Sequence, residues 1–135
     1  MIPDVEAVVG AYLRQYPAVK TLGAKVTGET PTDKSKPWVC VTQLDDPAVE
    51  DHHSDYLIGW MGQFDCYAGA TGGQGEASLL TRTVRRALKE MPAVPLEGLV
   101  VSRARFLSCP RIPDTDLEPA RQRFALTAEL RVHPS

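Results

Sequence analysis

The sequence predicts an α+β fold: a mostly antiparallel or mixed β-sheet packed against two helices, in the order α-β-β-β-α-β-β. Three observations predict it. Apolar residues recur at helical spacing in two stretches, near the N-terminus and after residue 76. Other runs alternate with a period of two, most clearly Phe124, Leu126, Ala128, Leu130 and Val132 against Arg123, Thr127, Glu129 and Arg131. Strand-like runs also follow one another without an intervening helix, which favours antiparallel pairing over βαβ units. At 135 residues the chain is expected to form one domain, 1–135.

In the first helix Val5, Val8, Val9, Tyr12, Leu13 and Tyr16 share a face. Pro3 suits its first turn, Asp4 and Glu6 its positive end, Arg14 its negative end, and Pro17 stops it. A short strand is expected around Ala24–Thr27, then a polar turn, ETPTDKSK, and a β-branched strand from Trp38 to Leu44. From Tyr56 to Ala68 the residues Tyr56, Ile58, Trp60, Phe64 and Cys66 point one way and Gln63, Asp65 and Tyr67 the other. The second helix buries Ala77, Leu80, Val84, Ala87, Leu88 and Met91, turns Arg82, Arg85, Arg86 and Lys89 outward, and ends at Pro92. A long C-terminal β-hairpin closes the chain, its arms joined by PRIPDTDLEP. An arm of about 11 residues spans roughly 36 Å, close to the roughly 37 Å diameter of a compact domain of this length. Such arms either cross the whole domain or project from it, which points toward assembly.

Composition narrows the function. With 43% hydrophobic and 24% charged residues and a formal net charge of −2, the chain lacks the basic excess of a general nucleic-acid binder. No apolar run approaches the roughly 20 residues of a membrane span. The start, MIPDVEAVV, has neither the basic opening nor the apolar core of a signal peptide, so a cytosolic protein is expected. Cys40, Cys66 and Cys109 read as small buried thiols, neither a disulfide set nor a zinc site.

Three stretches invite a chemical reading. The 69–75 glycine loop, GATGGQG, falls between strand and helix, where nucleotide-binding proteins cradle phosphate. Yet Glu76 stands where a P-loop needs lysine, and its carboxylate would compete for the backbone N–H groups that a phosphate needs. Ser78 replaces the last glycine of a dinucleotide fingerprint. The loop therefore reads as a pliable joint with a favourable first-turn acid. Next, the loop 45–55 carries Asp45, Asp46, Glu50, Asp51 and Asp55 around His52 and His53. Adjacent histidines on extended chain point apart, and Pro47, Ala48 and Val49 interrupt any hard-cation pattern, so no metal is assigned. An acidic loop facing passing DNA would instead repel it. Third, Arg82, Arg85, Arg86 and Lys89 form a solvated face or a docking face for an acidic neighbour. No catalytic arrangement and no cofactor is indicated. A small nucleotide- or metal-binding enzyme using the glycine loop or His52/His53 is the rival from another class.

Several segments carry a resemblance. GQFDCYAG followed by EASLLTRTVRRAL, the connector PRIPDTDLEPAR, the last strand RQRFALTAELRV and the opening DVEAVVGAYLR together resemble the tail terminator proteins of long, non-contractile-tailed bacteriophages, especially those of actinobacterial hosts. The likeness covers most of the chain in element order; GATGGQG is longer and richer in glycine than the family's turn there. It implies a structural virion protein at the tail–neck junction, assembled in the host cytoplasm. Such proteins form a hexameric ring on the tail tube protein, stop tube growth and offer a surface to the head-side connector. DNA passes through the lumen without specific binding. A head-closure protein or head–tail adaptor is the nearest alternative. On this reading Arg82, Arg85, Arg86, Lys89, Arg111, Asp114 and Asp116 are candidates for a subunit or ring–ring interface. Asp45, Asp46, Glu50, Asp51 and Asp55 are candidates for a lumen- or tube-facing loop.

Overall fold

The computed structural model describes residues 4–44, 58–70, 72–112 and 121–134. Helix α1 (Val5–Gln15) starts where Asp4 Oδ1 accepts from the Ala7 N–H, so Asp4 is its N-cap as well as a favourable dipole charge. Tyr16 ends it, but Pro17 does more than stop the helix. Proline at N1 is preorganised for helix, and the chain turns directly into a second short helix, α2 (Pro17–Thr21), which the sequence reading lacks. Strand β1 (Lys25–Thr27) follows, then β2 (Trp38–Gln43), β3 (Ile58–Tyr67), α3 (Gln74–Glu90), a 3-10 turn (Met91–Ala93), β4 (Leu99–Ser108) and β5 (Arg123–Pro134).

The strands form one mixed five-stranded sheet in the order β1-β2-β3-β5-β4. Only β1 on β2 is parallel; the other pairs are antiparallel. The last strand is thus the most central partner of the hairpin, lying between β3 and β4. Its arms cross the sheet and do not project from it. Register follows the period of two: Trp60, Phe64 and Cys66 face the same side as their partners Leu130, Leu126 and Phe124.

All the helices cover that side. Val5, Val9 and Leu13 of α1, Val19 of α2 and Leu80, Val84, Ala87 and Leu88 of α3 join one core with Phe64, Leu126, Leu130 and Val132. Helix α1 lies over β1 and β2, and α3 over β3, β5 and β4. The Trp60 indole lies flat across Gly62 on the same strand, so a Cβ at 62 would strike it. Its Nε1 donates to Gln43 Oε1 at 2.9 Å, which satisfies the one polar atom of the ring.

The opposite side of the sheet carries Gln63, Arg103, Arg105, Thr127, Glu129 and Arg131. Among the described residues no helix covers it. At one end of that side Trp38 and Tyr67 stack with centroids 4.4 Å apart, and the Arg123 guanidinium lies 5.6 Å from the Tyr67 ring. That stacking explains why Tyr67, although it points away from the helices, is buried. The cysteines need a correction too: Cys66 is buried and Cys40 half-buried, but Cys109 is exposed, because it lies past the end of β4 where the core no longer reaches.

Candidate functional site

The glycine loop already holds an anion, and it is the chain's own. Glu76 Oε1 accepts from the Gly69 N–H at 2.5 Å. Its carboxylate packs against Gly72 so closely that a Cβ there would collide with it. Further bonds tie the loop down: Gly72 N–H to Gly69 O at 3.2 Å and Ala70 N–H to Ser35 O at 3.2 Å. A Cβ on Gly69 would lie 2.6 Å from Ser35 O. The joint is therefore clasped where the sequence suggested pliability. Glycine serves close approach here, with no positive φ at Gly69, Gly72 or Gly73.

The acidic loop with Asp45, Asp46, Glu50, Asp51, Asp55, His52 and His53 lies outside the described residues, as do Asp114 and Asp116. Among the described residues no group of three or more His, Cys, Asp and Glu is placed to hold a metal ion.

The basic face of α3 is on the surface as its helical spacing requires: Arg82, Arg85, Arg86 and Lys89 are all exposed. The four are not equivalent. Arg85 lies over the Phe106 ring, 5.0 Å from its centroid, and so joins α3 to β4. Arg82 and Arg86 instead flank a depression of about 200 Å³ with Ala18, Leu79 and Thr83. Leu79 is 43% exposed there. Sequence reasoning missed it, although Leu79 falls outside the apolar stripe of Ala77, Leu80, Val84, Ala87 and Leu88, which was a signal. Arg111 does not join this group. Its guanidinium donates to Gln74 Oε1 at 2.6 Å, at the other end of α3 from Lys89.

A second surface lies between α1 and residues 91–97. Tyr12 donates its hydroxyl to Ala87 O at 2.5 Å, and the Tyr16 hydroxyl donates to the Glu90 carboxylate. Burial pushes the Tyr12 phenol up to about 12, and the bond to Glu90 raises that of Tyr16. Their rings form the floor of an apolar groove in two adjoining volumes of about 520 and 450 Å³, which share Tyr12, Gln15 and Val94. The helical pattern assigned both tyrosines to the core face; the structure leaves them half-buried at its rim.

These surfaces hold arginines, tyrosines and apolar side chains in positions suited to contact with protein. A match to known families decides the class: the model of "Tail completion protein gp17" covers residues 7–129. The chain belongs to the tail completion protein gp17 family. No curated protein matches the chain at a significant level. As a tail completion protein it has a structural role in the phage tail, in association with other tail or head proteins. The match runs from α1 into β5 and includes both α3 with its arginines and the groove beside α1.

Proposed function

We propose that this tail completion protein is a tail terminator: a ring of six copies that caps the tail tube, stops its growth and presents the joining surface for the head-side connector. The observation that carries this reading is the outer face of α3. Arg82, Arg86 and Lys89 line up on it with exposed Leu79, and among the described residues none of these cations has an acidic partner within ion-pair distance. A row of unneutralised charge around an apolar side chain suits an acidic surface on a neighbouring ring or tube, where rim charges steer encounter and set register. Arg85 contributes from its place over Phe106. The 45–55 acids fit a lumen or tube position, where they keep DNA from adhering as it passes. The loop with Asp114 and Asp116 then faces a neighbouring subunit.

Reversing two cations in Arg82→Glu/Arg86→Glu tests the reading. The variant should fold, since both side chains are exposed, yet fail to cap tubes in negative-stain images of purified protein mixed with tail tubes. Normal capping would exclude this face. Binding to portal-side rings with no contact to the tube protein would favour a head-closure protein or adaptor instead.

A further inference from the structure

Two features at opposite ends of the molecule are complementary. The first is the apolar groove lined by Val8, Tyr12, Tyr16, Val94, Pro95 and Leu96. The charged side chains that line it are Glu90 and Glu97, both acidic. The second is the far end of the β4–β5 ladder. A bulge between Phe106 and Ser108 leaves Leu107 out of register, and it is 40% exposed. Beyond it Ile112 is 43% exposed, although its backbone is fixed at both polar atoms: its N–H donates to Arg123 O at 2.9 Å and its carbonyl accepts from Arg123 Nε at 3.0 Å. An apolar side chain on a fixed backbone spares binding the cost of ordering that backbone. In the sequence Arg105 precedes Leu107 by two residues and Arg111 directly precedes Ile112, with the Arg111 guanidinium bonded to Gln74 Oε1.

The two features cannot meet within one copy. Leu96 bridges to Leu99 at the start of β4, whereas Leu107 is near its end, roughly 26 Å away at about 3.3 Å per residue. Helix α3 repeats the separation, with Glu90 at its C-terminus and Arg111 bonded to Gln74 at its N-terminus.

We infer that the hairpin end of one copy, Leu107 and Ile112 with Arg105 and Arg111, seats in the α1 groove of the next copy, against Glu90 and Glu97. Different patches on the two sides make this a head-to-tail contact, which closes into a ring when its rotation permits. The inference rests on the ring reading and names the contact that builds the ring.

The test uses Ile112→Glu and, separately, Ala11→Arg, which places a cation at an exposed position beside the acidic groove. Native mass spectrometry with and without tail tubes reads copy number, and circular dichroism verifies folding. Each variant should remain folded and lose ring assembly. In a Cys109→Ser background, Ala11→Cys/Ile112→Cys should give under oxidation a ladder of disulfide-linked copies ending at the ring's copy number. Intact rings in both single variants, or rings of the double-cysteine protein that yield no ladder, would overturn the contact while leaving the ring. A groove variant that forms rings but no longer holds tubes would assign the groove to the tube protein instead. A wild type that forms no ring even on tubes would remove the ring reading itself.

Discussion

At Gly72 a single hydrogen atom makes room for the Glu76 carboxylate, and at Gly69 it makes room for the Ser35 carbonyl, whereas a Cβ on Gly73 meets nothing within 4 Å. Gly69→Ala, which would strike fixed backbone, is therefore expected to destabilise by about 1–3 kcal/mol through overpacking. Gly72→Ala should cost less, since the Glu76 side chain can swing aside at the expense of its bond to the Gly69 N–H, and Gly73→Ala less than about 0.5 kcal/mol. Urea titration of the three variants separates them; equal losses would mean that backbone freedom, and not close approach, governs the loop. Gly62→Ala should behave like Gly69→Ala, because the Trp60 ring occupies its space. None of this was legible in the sequence. The pattern showed where glycines cluster, but Ser35 is far from Gly69 along the chain, so crowding and flexibility looked alike. The cysteines show the same limit. Burial pushes the Cys66 thiol up to about 12, and only exposure separates it from Cys109. Alkylation at pH 8 should label Cys109 well ahead of Cys66, and denaturant should abolish the difference.

Helices α1 and α3 are joined by Tyr12 and Tyr16, whose hydroxyls bond to Ala87 O and Glu90. Because the Tyr12 phenol is raised from 10.0 to about 12 in the folded state, folding favours its neutral form. Its stabilising contribution is complete below pH 10 and is lost as pH rises from 10 toward 12. Melting temperature should fall across that window. Tyr12→Phe should flatten the fall and cost about 0.5–1.5 kcal/mol at neutral pH for the lost hydrogen bond. An unchanged alkaline profile would remove this coupling. At the start of α1, Asp4→Ala should cost about 1 kcal/mol of cap stability, read from thermal melts. The elements themselves were largely legible: both long helices and every strand stand close to where periodicity placed them. Helix α2 was not, since five residues are too few to show a period and Pro17 served equally as a stop or a start. Nor was the parallel pairing of β1, because three residues carry no directional signal.

Across the whole molecule the helices occupy one side of the sheet, so the arginines of α3 and the polar residues of β4 and β5 look out in opposite directions. On the bare side Arg103 stands opposite Arg131, and Arg105 opposite Glu129. Like charges facing across a ladder are unfavourable, and Glu129 relieves this by pairing with Arg131 at 3.4 Å. Glu129→Gln should therefore destabilise modestly, by about 0.2–1 kcal/mol, and less at high salt. If the arginine row of α3 joins rings or tube, raising ionic strength should slow capping far more than it changes subunit stability; equal sensitivity of both would count against a charged joint. The arginine row was readable from helical spacing alone. The groove and the hairpin end were not, because each is built from segments that only the tertiary fold brings side by side.

Strand β5 enters the sheet between β3 and β4, so the middle of the sheet is completed last during synthesis. Until residues 123–134 have left the ribosome, β3 has β2 on one flank and nothing on the other, and β4 has no partner. Such long-range closure is slow and leaves a sticky edge while it waits. A chain interrupted before Arg123 keeps much of its helical sequence but forms neither the Ile112 anchor nor the hairpin that carries it. On the ring contact inferred above, such an unfinished copy would lack the end that seats in its neighbour.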